Sequence, residues 1–284
     1  MASTEDALSS DVVVEAIGAL DTPTLGMLAA LVDQSGWNQT RDDWALFASH
    51  GTIHAVRDGD GRIVASGAVL PMAPAGAWIS MILVDPALRG RGLGRAVFEQ
   101  SLMAVQRGGR CALLDATPAG ERLYARYGFV PLWRSTRWQR AAHAGARPAP
   151  RADPGPLDLL AALDAEALGL ARPGVLDHLA QRADSRVVRH AQGFAMVRAG
   201  RNARHIGPLI ATDEAAAAGL LREIADSEPG PLFIDTPDDR PLLREQLQAS
   251  GFVPQRTFAR MALGDAVPQG HTAFIHAIAG PEYG

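Results

Sequence analysis

Apolar residues follow two rhythms along this chain, and the switch between them marks its most informative stretch. Met81 to Val84 is an unbroken apolar run, which suits a strand covered on both faces of a sheet. Pro86 stops it, because proline cannot donate to a ladder. Behind Arg89-Gly-Arg-Gly-Leu-Gly-Arg95, Phe98, Leu102 and Val105 stand four and three apart, the spacing of a helix face. The pattern predicts a strand, a glycine loop and a helix in immediate succession.

The same reading carries through the first half. Val12–Val14 open a strand, and a helix runs from Asp21 or Thr22 through Val32. A polar loop, Ser35 to Thr40, leads into a short helix around Asp43–Phe47. Thr52–Arg57 and Ile63–Leu70 pair as a hairpin across Asp58-Gly-Asp-Gly61. Then come strand Trp78–Val84, helix 92–107, strand Cys111–Asp115, a helix from Pro118 and two strands, Phe129–Trp133 and Thr136–Arg140. Residues 1–10 read as a disordered tail.

Residues 141–156 hold four prolines and no large apolar side chain, so they cannot bury a core and read as a linker. Beyond them, helices fall near Leu157–Leu168 and Val175–Arg182, and strands near Arg186–His190, Phe194–Arg198 and His205–Ala211. This second half repeats the first. Gly251-Phe-Val-Pro254 copies Gly128-Phe-Val-Pro131, and Phe233-Ile-Asp-Thr-Pro237 echoes Leu114-Asp-Ala-Thr-Pro118. The expected division is 1–142, a linker 143–156, and 157–284.

Composition narrows the class. A length of 284 residues with 47% hydrophobic content supports two ordinary domains with real cores. A net charge of −4 gives no general affinity for nucleic acid. One cysteine excludes a disulfide framework and a cysteine-based zinc site, and no metal is expected. No apolar run reaches membrane-spanning length and the N-terminus lacks a signal-peptide pattern, so the expectation is a cytoplasmic protein with no membrane partner. Nothing in the sequence sets the oligomeric state.

The glycine loop carries the chemistry. Glycines at 90, 92 and 94 let backbone N–H groups converge on a ligand, and the helix behind adds its unpaired N–H groups and positive dipole end. Arg89, Arg91 and Arg95 strengthen the preference for a pyrophosphate. A Walker loop is excluded, because it needs a lysine and the chain has none. A dinucleotide fingerprint fits poorly, since its third glycine would fall on Arg95.

The remaining match is R-x-x-G-x-G at Arg89, Gly92 and Gly94, followed at 114–131 by L-D-A-T-P-A-G-E-R-L-Y-A-R-Y-G-F-V-P. Together these resemble the GCN5-related N-acetyltransferases, the GNAT superfamily, and in particular bacterial tandem members with a degenerate C-terminal domain. The resemblance implies an α/β fold of two tandem domains, each a splayed mixed sheet flanked by helices, with the first binding acetyl-CoA and the second shaping the acceptor pocket. It implies acetyl transfer from acetyl-CoA to the amine of a small or amino-acid-like acceptor. The alternative is a non-catalytic acyl-CoA-binding module.

Residue by residue, the resemblance places acetyl-CoA on Arg89, Gly90, Arg91, Gly92, Leu93, Gly94 and Arg95, with Thr117 and Gly120 beside it. Backbone N–H groups near Leu83 and Val84 would orient the thioester. Tyr124 takes the position of the general acid, although it also reads as a core aromatic. Trp37, Asn38, Trp44 and Trp78 are candidates for holding the acceptor, with Trp44 equally a core residue of its short helix. His50, His54, Asp85 and Asp115 stay open as bases, beside a water relay.

Overall fold

The computed structural model describes residues 12–143, 145, 155–264 and 267–284. The expected tail 1–10 and most of the linker lie outside the described residues. The first half runs β1 (Glu15–Ala16), α1 (Thr22–Ser35), α2 (Arg41–His50), β2 (Thr52–Arg57), β3 (Ile63–Met72), β4 (Gly76–Val84), α3 (Leu93–Arg107), β5 (Cys111–Ala116), α4 (Pro118–Ala125) and β6 (Val130–Arg140). The second runs α5 (Asp158–Leu168), α6 (Pro173–Gln181), β7 (Arg186–His190), β8 (Gly193–Arg198), β9 (Arg204–Ala211), α7 (Glu214–Ser227), β10 (Leu232–Pro237), α8 (Pro241–Ala249), β11 (Val253–Leu263) and β12 (Ile275–Ala277).

Local signals explain most of these boundaries. Asp21 caps α1 by accepting from the Thr24 N–H at 2.9 Å, and Gly36 ends the helix at φ 66°. Thr117 caps α4 by accepting from the Gly120 N–H at 3.3 Å, with Pro118 at the first helical position. Two expectations need correction. Val12–Val14 is not a strand, the short pairing falling instead on Glu15 and Ala16 opposite Ala55 and His54. The two strands expected at 129–140 are one, β6, because it is paired along its length by β11.

The sheet order is β1-β2-β3-β4-β5-β11-β6-β10-β9-β8-β7, with β12 on β9. The halves have therefore exchanged their last long strands. β11 lies between β5 and β6, and β6 lies between β11 and β10. The exchange follows a pseudo-twofold axis. Val130 pairs with Ala262, while Val253, its copy, pairs with Gln139, the copy of Ala262. Two buried bidentate ion pairs obey the same symmetry. Arg260 on β11 grips Asp115 on β5 at 3.0 and 2.9 Å, and Arg137 on β6 grips Asp235 on β10 at 2.7 Å twice.

Hydrophobic packing joins the halves as well. One buried cluster holds Leu28, Trp44, Phe47 and Trp78 together with Leu176, Leu179, Phe194 and Tyr283. No helix among the described residues is long and apolar enough to cross a membrane.

Candidate active site

Strands β4 and β5 run parallel but pair only from Gly76–Trp78 to Cys111–Leu113. Beyond that they part, and a cavity of about 120 Å³ opens between Ile79–Ile82 on one side and Leu114–Thr117 on the other. A bulge in β4 shapes the near wall. Its register with β3 shifts between Ser66↔Leu83 and Ala68↔Ser80, so Met81 and Ile82 together oppose Gly67. A side chain on Gly67 would collide with Ile82 Cδ1 at 2.8 Å. Met81 is held at φ 55°, a conformation that costs a residue with a side chain about 1–2 kcal/mol, and its carbonyl accepts from the Ser66 hydroxyl at 3.0 Å. The chain spends stability to turn its backbone out at the cavity.

The remaining walls come from both halves. Tyr124 projects from α4, Trp37 and Gln39 from the α1–α2 loop, and Arg137 from β6. The second half contributes Arg256 and Phe258 on β11 together with Pro281 and Glu282. The Tyr124 ring packs 4.7 Å from Phe98, and burial pushes its phenol up to about 12, so it holds its proton throughout the physiological range. Glu282 accepts from Gln39 at 2.9 Å and from Arg198 at 2.9 Å. Burial raises its pKa, and nearby Asp43 adds to that against the pull of Arg198.

The glycine loop follows β4, past the strand residues that line the cavity. Gly90 and Gly92 take φ of 78° and 79°, and a β-carbon on either would meet nothing within 4 Å. Helix α3 begins at Leu93 and Gly94 with no side chain capping its N-terminus, so its first N–H groups stay available. Arg91 forms no ion pair among the described residues, whereas Arg95 is engaged by Glu99 at 2.9 Å and Arg89 reaches back to the Val84 carbonyl at 3.4 Å. An open concavity, free donors and a cationic rim fit the pyrophosphate of acetyl-CoA.

The second half shows the contrast. Helix α7, the counterpart of α3, is capped by Asp213, which accepts from the Ala216 N–H at 2.8 Å. Glu214 beside it accepts from the Leu243 N–H at 2.9 Å. The gap that would match the β4–β5 opening is filled. β12 pairs with β9 at Leu209 and Ile210, and the Ile278 N–H donates to the Asp235 carbonyl of β10 at 3.0 Å.

Several expected site residues lie elsewhere. Trp44 is fully buried against Phe47 in the core and does not reach the cavity. Trp78 is buried too, its indole N–H donating to the Pro281 carbonyl at 2.9 Å and the Arg260 guanidinium lying 4.5 Å over its ring. Asn38 is fully used as a clamp, donating to the Ala203 carbonyl and accepting from the Asn202 and Ala203 N–H groups at 2.9–3.0 Å. Trp37 does line the cavity, as does Thr117. Leu83 and Val84 sit past the cavity wall toward the glycine loop, and Gly120 lies against the Tyr124 ring.

Among the possible bases, only Asp115 is on the cavity lining, and its side chain is fully buried against Arg260. His54 is buried against Ser101 at 3.0 Å, His50 meets His178 edge-on, and Asp85 caps a short turn through the Ala87 N–H. Gln39, Arg137, Arg256, Phe258 and Glu282 carry no local motif. The one available hint was the repeat itself, which sets Arg137 and Arg260 at equivalent places.

A family model described as an acetyltransferase (GNAT) domain matches residues 49–131, and a second so described matches 160–275. No curated protein matches the sequence. Among solved structures, a Pyrococcus horikoshii protein assigned as an acetyltransferase superposes with a TM-score of 0.78 at 22% identity, over 95% of this chain and 96% of its own. A tandem GNAT protein from the clavulanic acid biosynthesis pathway superposes with 0.62 at 17% identity, over 90% and 100%. A GCN5-related N-acetyltransferase from Sphaerobacter thermophilus gives 0.59 at 16%, over 90% and 96%. With two matching domain models on a shared tandem fold, this chain belongs to the GNAT acetyltransferases as a tandem of two GNAT domains.

Proposed function

We propose that the first half transfers an acetyl group from acetyl-CoA to the amine of a small acceptor, with the halves dividing within 143–156 and the second half supplying part of the acceptor pocket. The observation that carries this reading is the phenol of Tyr124 on the wall of the cavity where β4 and β5 part, β4 being the strand that the glycine loop and the uncapped N-terminus of α3 follow in the chain. Bound acetyl-CoA supplies an electrophilic thioester carbonyl and a thiolate leaving group. Gly90, Gly92, Leu93 and Gly94 hold the pyrophosphate through backbone N–H groups, Arg91 adds charge, and Leu83 and Val84 flank the chain that leads inward. Backbone N–H groups exposed by the Met81–Ile82 bulge stabilise the oxygen that becomes anionic.

Tyr124 donates the proton that the departing sulfur requires. A phenol raised to about 12 is a reluctant acid in the resting protein, yet it is protonated at every working pH and so can donate to the departing thiolate. Of the two carboxylates on the cavity lining, Asp115 is fully buried with both oxygens held by Arg260, which leaves Glu282 to take the amine proton, directly or through one water. Burial raises the Glu282 pKa, which makes it a better proton acceptor.

The test is thiol release from acetyl-CoA across a panel of small amines, with each product identified by mass. Release dependent on an acceptor supports the transferase. Binding of acetyl-CoA without release for any amine supports the non-catalytic module.

A further inference from the structure

Of the four charged residues lining the cavity, three have an ion-pair partner of their own. Asp115 is matched by Arg260, Arg137 by Asp235, and Glu282 by Arg198, each at 3.0 Å or less. Arg256 is the exception. Among the described residues it forms no ion pair and no hydrogen bond, and its buried Nε has no partner. Its guanidinium lies over an aromatic face, 5.4 Å from the centre of the Phe258 ring.

The position is also costly. A register shift between Pro254 and Arg256 leaves Gln255 unpaired and brings Arg256 directly opposite Arg137 on the neighbouring strand. Like charges directly opposite across strands repel, and Asp235 is already committed to Arg137 by a bidentate grip. Burial and Arg137 pull the Arg256 pKa down from its usual value, against the weaker opposing pull of Asp235 and Glu282. A half-buried cation without a counter-ion costs stability unless a ligand supplies one. Phe258 and Trp37 meanwhile give the cavity an aromatic side wall.

We propose that Arg256 binds a carboxylate carried by the acceptor, so that the preferred acceptors are amino acids or closely similar amino-carboxylic acids. This deepens the acetyltransferase reading and rests on it. A planar guanidinium stacked on a ring presents its remaining N–H groups as a fork, which matches a carboxylate in two hydrogen bonds. The acceptor amine is then held at a fixed distance from its own anionic group, and that positions it toward the Tyr124 end of the cavity.

The experiment compares a set of amino acids with their amides, using acetyl-CoA as donor. The amides carry the more easily deprotonated amine, so a preference for the acids cannot arise from basicity. The expected result is a KM lower by about 10- to 100-fold for the acids in the unaltered protein. In Arg256→Gln that preference should vanish through KM with kcat little changed, and Arg256→Lys should restore part of it. A parallel arm uses succinyl-CoA with uncharged amines. If Arg256→Gln impairs that reaction and spares the acids, the carboxylate belongs to the acyl donor and the proposal is overturned. Calorimetric titration with N-acetyl amino acids and their amides, with and without CoA, needs no turnover. Binding of the acids alone, lost in Arg256→Gln, supports the assignment even where thiol release fails. Equal binding of acids and amides overturns it even where thiol release succeeds.

Discussion

Gly120 lies directly against the ring of Tyr124: a β-carbon at position 120 would sit 3.0 Å from Tyr124 Cε2. Phe98 backs the same ring at 4.7 Å, so the phenol is wedged from two sides. Gly120→Ala should push the ring by a few tenths of an ångström and lower kcat, while acetyl-CoA affinity holds. Tyr124→Phe keeps the packing and removes only the donor, and kcat should fall by about 10²–10⁴. Steady-state kinetics beside CoA calorimetry measure both. A normal kcat in Tyr124→Phe, under conditions where chemistry limits the rate, would leave Tyr124 a core residue.

The glycines of the loop do different things. Gly92 needs its φ of 79°, and open space lies where its side chain would point. Gly92→Val should therefore weaken acetyl-CoA at least tenfold while the fold survives, because the change strains the turn and fills the concavity. Gly94 is helical, and a β-carbon there would press on Val84 Cγ2 at 3.2 Å. Its replacement acts through packing as well as through the ligand. Thermal stabilisation by CoA reads the difference, and full stabilisation of Gly92→Val would remove the loop from the site.

One CoA should bind per chain. Asp213 and Glu214 occupy the start of α7, and β12 closes the gap beside β9. A pyrophosphate at that end would meet two acidic side chains and used donors. Titration calorimetry with acetyl-CoA should give a stoichiometry near one, and two comparable sites would overturn the expectation.

A chain ending at Ala142 should not fold. The sequence alone suggests an independent first domain, but β5 would lose β11, and β6 would lose both of its neighbours. Arg137 would also be left without Asp235, and Asp115 without Arg260. Breaking one such buried pair costs about 3–5 kcal/mol, against a total stability of about 5–15. Absence of a cooperative unfolding transition is the expected result. A cooperative, CoA-binding fragment would show that the exchange is dispensable.

Stability should rise with pH across the range where buried histidines stay neutral. His276 is 2% exposed with Nε2 at 3.2 Å from the Ala211 carbonyl, and burial, with Arg240 nearby, lowers its pKa to about 4. Unfolded, the ring titrates near 6.5. Between those values the unfolded chain binds the extra proton, so stability increases with pH by up to about 1.4 kcal/mol per unit for this one group. Asp115 and Glu282, whose pKa values are raised, work in the opposite direction. The informative quantity is thus the difference between the protein and His276→Gln in how urea-unfolding stability changes with pH. An identical pH slope in the variant would contradict neutral burial of His276.

Much of this protein is decided locally and so can be read from its residues. The rhythm from Met81 to Val105, the cap at Thr117, the turn at Asp58–Gly61 and the copied Gly-Phe-Val-Pro strings each depend on neighbours a few positions away. Such signals place the glycine loop before α3 and Tyr124 on α4. The bulge at Met81–Ile82 escapes that reading, because an apolar run looks the same whether or not one residue is extra. So does the exchange of β6 and β11, since copied strands have equal hydrophobic patterns and only the register between them selects the partner. Trp37, Trp44 and Trp78 look alike as aromatic candidates, yet the fold leaves only Trp37 on the cavity wall. The end of that cavity built by both halves is the clearest case. Gln39, Arg137, Arg256 and Glu282 are far apart along the chain and converge because two half-sheets share their last strands. No short-range pattern encodes a meeting produced by long-range pairing.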